Sequence, residues 1–266
     1  MSELHSVVCV KVVPKSEEIR VDPERMVLVR NDVRSEINPP DMNALEMALS
    51  LKDRYGGLVS ILSMGPPSFV PFLQVGAAMG ADFVYLLSDR DFAGADTLAT
   101  TYTLAKGIQK LGEVNLVFCG EESADGATGQ VPAGLAEWLD MGQLSMLSDI
   151  DIDEENSSAR GRREIGGGYE IVEVGMPCVV SVHTACNEPR FMDYSRKSQA
   201  FDDESVTIWN ADDTEADPKL IGIRGSPTVV SGLAEAAVRE RRREFIDGSP
   251  EEIAAQVSEI LRQILF

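Results

Sequence analysis

The sequence predicts a doubly wound α/β fold with a mainly parallel sheet, followed by a C-terminal arm and helix. Three observations predict it. Short β-branched apolar runs alternate with helix-patterned stretches over the first 190 residues, which is the rhythm of βαβ units. The runs are apolar throughout rather than at every second residue, as strands covered on both faces are. Beyond residue 190 the chain turns polar and acidic, and it closes on one amphipathic segment. The expected division is an α/β domain over 1–190 and an arm with a helix over 191–266.

Ser6 to Val13 (SVVCVKVV) reads as the first strand, stopped by Pro14. A polar, hairpin-like stretch leads to Asn38-Pro39-Pro40-Asp41, where Asp41 is a good N-cap for the following helix. Leu45, Ala48, Leu49 and Lys52 keep helical spacing, and Gly56-Gly57 closes that helix. Leu58 to Ser63 is the second strand, ending at Met64-Gly65-Pro66-Pro67, and a helix covers 68–79. Asp82 to Leu87 is the third strand, Asp96 to Leu111 a helix, Val114 to Cys119 the fourth strand, and Gln130 to Leu139 another helix. Asp149, Asp151, Asp153, Glu154 and Glu155 read as an acidic turn, the segment ARGRREIGGGYEIVEV as a hairpin, and Met176 to His183 as the fifth strand. Phe191 to Pro218 shows little periodicity, and Lys219 to Ser231 reads as irregular. Ser249-Pro250-Glu251-Glu252 opens the last helix with a capping box and proline at its first position. Its apolar stripe is Ile253, Val257, Ile260, Leu261, Ile264 and Leu265, a face suited to a partner subunit.

Lys and Arg number 24 against 44 Asp and Glu, a net charge of −20 that repels nucleic-acid phosphates and anionic lipid. No nucleic-acid partner is expected. No window approaches 18 consecutive apolar residues, and the first residues carry no basic, apolar leader pattern. A soluble, cytoplasmic protein without membrane insertion is the expectation. Cys9, Cys119 and Cys178 sit inside strand runs, there is no CxxC, and only His5 and His183 could add imidazole. Neither a metal site nor a disulfide framework is expected.

In sheets of this kind, ligands bind beyond the carboxyl ends of the strands, where the strand order reverses. The loop after the fourth strand holds Asp125-Gly126-Ala127-Thr128-Gly129-Gln130-Val131, with Pro132 following. Its small residues let backbone N–H groups approach an anion, and Thr128 and Gln130 add side-chain donors ahead of a helix N-terminus. It has no Walker-type lysine. The same residues also suit a plain strand–helix turn. Cys9 and Lys11, Asn38 to Asp41, and Ser63-Met64 stand at the other strand ends, so they complete a candidate nucleotide site. No nucleophile, acid–base pair or other catalytic residue set stands out.

The segment from Arg163 to Ser195 resembles the electron transfer flavoprotein beta subunits. Their hairpin appears as Glu164-Ile165-Gly166-Gly167-Gly168, their L-P-A-V-V strand as Met176-Pro177-Cys178-Val179-Val180, and their N-E-P-R as Asn187-Glu188-Pro189-Arg190. Upstream, Val10-Lys11, Asn38-Pro39-Pro40-Asp41, Ser63-Met64-Gly65-Pro66 and the Asp125–Gln130 loop follow in the family's order, so the resemblance spans about residues 4–200. It implies a Rossmann-like fold of the adenine nucleotide alpha hydrolase type and a heterodimer with an alpha subunit that holds the electron-carrying FAD. It further implies AMP or a second FAD in the beta subunit, the latter in bifurcating members that also meet NADH. Redox partners would be an acyl-CoA dehydrogenase-type or quinone-reductase-type protein.

Two positions depart from the family. Gly166 replaces the hairpin's usual Asp, and Phe191-Met192-Asp193-Tyr194 replaces the usual continuation of the loop that docks on partners. The resemblance assigns Glu164, Arg190, Phe191 and Tyr194 to partner docking, with Tyr194 at the anchor position. Two other classes fit the topology less well. A PP-loop enzyme or adenylyltransferase needs an S-G-G-x-D-S loop after the first strand, where this chain has Pro14-Lys15-Ser16, or an H-x-G-H motif, and a stress-type nucleotide sensor needs no N-E-P-R segment.

Overall fold

The computed structural model describes residues 3–15, 21–22, 27–28, 34–202, 204–229 and 245–265. The chain forms two compact units, Met1–Leu233 and Ala234–Phe266. In the first, β1 (His5–Cys9), β2 (Val12–Pro14), β3 (Val21–Asp22), β4 (Val27–Leu28) and β5 (Ser35–Ile37) precede helix α1 (Pro39–Tyr55). Then come β6 (Leu58–Met64), α2 (Val70–Met79), β7 (Phe83–Leu87), α3 (Thr97–Lys110), β8 (Leu116–Gly120) and α4 (Val131–Leu139). Strands β9 (Gly142–Asp153), β10 (Ser158–Ile165), β11 (Gly168–Gly175) and β12 (Cys178–Val182) follow, then α5 (Tyr194–Ala200) and β13 (Thr207–Trp209).

Nine strands form one sheet in the order β11-β10-β9-β12-β8-β1-β6-β7-β13. Every pairing from β9 to β13 across that order is parallel, while β9, β10 and β11 form an antiparallel extension. From β1 the chain first builds outward through β6 and β7, then returns to lay β8 on the other side. The order therefore reverses between β1 and β8. Side chains alternate between two cores, as period-two strands require. Val8, Ile61, Phe118 and Val180 pack with α1 and α2, whereas Val7, Leu62, Val117 and Val179 pack on the opposite face with α3 and α4.

Several elements differ from the sequence expectation. The first strand stops at Cys9, because the Lys11 N–H bonds to the Asp41 carboxylate and Val12–Pro14 turn away to pair antiparallel with Ser35–Ile37. Asp41 does not cap α1; Asn38 is the cap residue and the two prolines occupy the first helical positions, where no N–H is needed. The acidic turn is mostly strand: β9 buries Leu144, Leu147, Ile150 and Ile152 while Asp149 and Asp151 point outward. The stretch after 190 is not an arm apart. Its α5 packs on α2, its β13 pairs with β7, and Trp209 stacks on Tyr85 at 4.5 Å. The compact units accordingly divide at 233/234, not at 190.

In the second unit, α6 (Pro250–Leu265) starts with the expected capping box, the Ser249 N–H donating to Glu252 at 2.8 Å. Val257, Ile260 and Leu261 are exposed. The side chains of Ile264 and Leu265 in the expected stripe lie outside the described residues, as do residues 230–231 of the expected irregular stretch and residue 203 of the acidic segment.

The N-E-P-R segment is pinned to α1. Arg190 donates to both oxygens of Glu46 at 2.9 Å and to Asp53 at 2.8 Å, while Asn187 and Asn43 exchange hydrogen bonds. Burial pushes the Glu46 carboxyl up, but the Arg190 bonds outweigh it and hold the group below its ordinary value. That share of stability is present above the ordinary carboxylate range and is lost as pH falls through the depressed value. Arg190→Ala should lower stability by about 2–3 kcal/mol at pH 7, because a half-buried charged partner is stranded. Chemical denaturation should find that cost shrinking as pH falls below the ordinary carboxylate range and Glu46 takes up a proton.

Candidate functional site at the strand-order reversal

The site is built where β1 and β8 diverge. A parallel strand ends with peptide N–H groups that have no further neighbour, and here α1 supplies their acceptors. Asp41, in the first turn of α1, accepts from the Lys11 N–H at 2.8 Å and from the Gly120 N–H at 3.1 Å. Asn38 donates to the Glu122 carbonyl at 2.9 Å and accepts from the Ala124 N–H at 3.0 Å. Pro40 is buried beside them and Pro39 is exposed. Gly120 is required by this contact: a Cβ there would lie 2.5 Å from an Asp41 oxygen and 2.7 Å from the Pro40 carbonyl carbon.

The loop above them is open. Gly126 and Ala127 N–H groups both turn back on the Ser123 carbonyl, and Ala127 and Gly129 take left-handed φ of 46° and 61°. Lys11 reaches across to Asp125 at 2.6 Å and to Ser123 at 3.3 Å. Thr128 and Gln130 are exposed, Val131 is half-buried, and no side chain caps α4 at Gln130. The α4 N-terminus therefore presents unsatisfied N–H groups and its positive dipole end to the solvent side of the loop. The far end of the loop is held by Glu121, which takes Thr184 and His183 as partners. Burial pushes the Glu121 carboxyl up, yet those bonds hold it below its ordinary value.

Cys9 is buried at the end of β1 and hydrogen-bonded to Cys119 of β8; that bond and burial push the Cys119 thiol well up, so Cys119 offers no ready thiolate. Ser63 is fully buried near the end of β6, and among the described residues its hydroxyl finds no partner. Met64 beside it is half-buried. Lys11, Asn38, Asp41 and the 120–125 stretch are thus in mutual contact, whereas Ser63 and Met64 line the next strand end. Among the described residues no three His, Cys, Asp or Glu side chains form a metal-binding group, and no helix is long and apolar enough to cross a membrane.

The four residues assigned to partner docking separate into two kinds. Glu164 is exposed near the end of β10, and Phe191 and Tyr194 stand 96% and 87% exposed. Arg190 faces inward on α1 instead. Sequence reasoning overlooked its partners, although Asn43, Glu46 and Asp53 recur at helical spacing along α1. It also overlooked Gly120, which carries no signal apart from its place at a strand end.

Fold and site together define a doubly wound α/β protein with an anion-ready loop at its topological switch. The electron transfer flavoprotein domain matches residues 25–214. The chain is 42% identical to the electron transfer flavoprotein subunit beta of Clostridium acetobutylicum over 98% of both chains. It is 42% identical to the caffeyl-CoA reductase-Etf complex subunit CarD of Acetobacterium woodii over 84% of both, and 37% identical to the protein FixA of Bradyrhizobium diazoefficiens over 97% of this chain and 91% of that one. The chain belongs to the electron transfer flavoprotein family, among its beta subunit and FixA members.

Two outcomes follow from the geometry. Gly120→Ala should cost about 1–3 kcal/mol in chemical denaturation, because α1 must move off the strand end. Burial raises the Asp41 carboxyl from 3.8 to about 7, so the folded protein holds a proton there that the unfolded chain releases. Its contribution is therefore fully present below about pH 4 and is lost as pH rises to about 7, amounting to at most about 4 kcal/mol. Relative to wild type, Asp41→Asn should gain stability between pH 5 and pH 8.

Proposed function

We propose that this chain is the beta half of an alpha–beta electron transfer flavoprotein and holds an adenine nucleotide at the β1/β8 switch. The observation that carries the reading is the uncapped α4 N-terminus behind a loop of small residues, set over a scaffold that α1 locks in place. The residues suit such a group. Gly120 leaves the strand end flush, and the buried Ser63 hydroxyl offers a hydrogen bond that the protein itself does not use. The N–H groups of residues 128–131, with Thr128, Gln130 and the Lys11 ammonium, would hold phosphates. The remaining strand-end residues would surround the nucleoside.

A bound flavin supplies the redox chemistry, and the protein contributes binding, orientation and exclusion of water. The electron-carrying FAD is assigned to the alpha subunit. In this chain, Thr128-Gly129-Gln130 favours AMP, while Asp125-Gly126 and the short loop favour a second FAD and a bifurcating role. Phe191 and Tyr194 would dock an acyl-CoA dehydrogenase-type or quinone-reductase-type partner in the cytoplasm. Glu164 would pair with a basic group on the mobile flavin domain.

Nucleotide extraction from the purified heterodimer separates the two forms: one FAD plus one AMP, or two FAD. Thr128→Val should weaken retention of the beta-bound nucleotide by at least about tenfold, the loss of a hydrogen bond to a charged acceptor. Unchanged content after dilution and gel filtration would remove the phosphate assignment. Tyr194→Ala should slow reduction of the partner by about tenfold while flavin content stays intact, since exposed aromatic anchors carry about 2 kcal/mol or more.

A further inference from the structure

The two polar side chains at the start of α1 are almost wholly shielded, Asn38 at 0% and Asp41 at 6% exposure. Between them they engage the Lys11, Gly120 and Ala124 N–H groups and the Glu122 carbonyl, all on the two chain segments that leave the sheet at the switch. The Lys11 N–H would otherwise continue β1, so the Asp41 bond is what turns the chain out of the sheet. The Gly120 N–H is the last of β8, so the same carboxylate sets where the next loop begins. One oxygen serves each strand, and the two strands are tied to one rigid group.

This is a costly arrangement. Burying a carboxylate is unfavourable unless a cation compensates it. Among the described residues no cation lies within ion-pair distance of Asp41, and the Lys11 ammonium pairs with Asp125 instead. A neutral side chain would cap one strand end more cheaply. Ionised, as it is above about pH 7, Asp41 offers two oxygens that both accept, whereas an amide in its place would turn a donor toward one of the two N–H groups. Local cost kept in a fold in this way marks sites whose geometry matters more than their stability.

We infer that Asp41 is a positioning residue for the nucleotide: it sets the exits of β1 and β8 so that the 121–130 loop and the α4 N-terminus face the phosphates in one geometry. Asn38 extends the same hold to Glu122 and Ala124. The inference rests on the nucleotide-binding reading above and gives Asp41 a role through the backbone rather than as a ligand.

The test uses the co-purified heterodimer in three forms: wild type, Asp41→Asn and Asp41→Ala. AMP and FAD content is measured after extensive dilution, each nucleotide is titrated back onto stripped protein, and the denaturation midpoint of the stripped protein is read at pH 8. Retention should fall from Asp to Asn to Ala, by about tenfold or more at the end of the series. The Asp41→Asn midpoint should stay at or above wild type. That opposition is the signature of positioning, because a residue that only holds the fold together would lower both. Should Asp41→Ala fail to fold, Asp41→Asn alone carries the comparison. Tight wild-type binding with unchanged binding in Asp41→Asn overturns the inference and leaves the nucleotide reading standing, and so does retention that falls only together with the midpoint. A wild-type beta half that takes neither AMP nor FAD removes the nucleotide reading and the inference together.

Discussion

Two parallel strands that part company leave their last peptide N–H groups facing each other across a gap, and something must accept from both. In this protein that acceptor is one carboxylate on the first turn of α1, pressed so closely on β8 that only glycine fits opposite it. The consequences spread outward from this contact. It ends β1 at Cys9 and frees Val12–Pro14 to pair with Ser35–Ile37. It also starts the open loop at residue 121, and so brings the N-terminus of α4 to the same edge as Lys11. The energetic burden of a buried, unpaired carboxylate is borne by the large apolar cores on the two faces of the sheet.

Helix α1 carries more than this one contact. Along one stripe, Asn43, Glu46 and Asp53 grip the segment that ends in Arg190, so the exposed Phe191 follows directly on an anchored residue. The Asp193 N–H then bonds to the Ala78 carbonyl at the end of α2, fixing the other side of Phe191 and Met192. At its last turn Arg54 and Tyr55 reach Asp151 of β9, and Lys52 pairs with Asp82 before β7. The edge at the strand-order reversal, the Arg190–Asp193 segment and the antiparallel extension thus share one rigid support. A proposed recognition surface built on short, pinned loops has little conformational freedom left to lose on binding.

Much of this architecture was legible in the chain. Each β-branched apolar run supplied a strand of the sheet, although the first one stops at Cys9 and sends Val12–Pro14 into a separate pair with Ser35–Ile37. The capping box at Ser249 and the loop before α4 were equally plain, since helix starts are decided by a few local hydrogen bonds. The family resemblance rested on short motifs whose roles the structure makes physical: N-E-P-R is a strap onto α1, and the two prolines before Asp41 open a helix rather than precede one. Less was visible where an element is short or half-polar. β13 has three residues and is a strand only because β7 lies beside it. The acidic residues of β9 disguised an alternation of inward Ile and outward Asp.

By itself, then, the sequence determined the doubly wound class, the loops at the edge of the sheet where the strand order reverses, and the residue types gathered there. These depend on periodicity, turn chemistry and local caps, which act over a few residues. Only the tertiary structure decided what those residues face. Asp41 was a cap by spacing and became a buried bridge between strands, and Arg190 was a docking charge by resemblance and became an internal anchor. Both outcomes turn on partners 30 to 144 positions away in the chain. No local pattern encodes which of several acceptors a buried N–H or guanidinium will meet once the layers close.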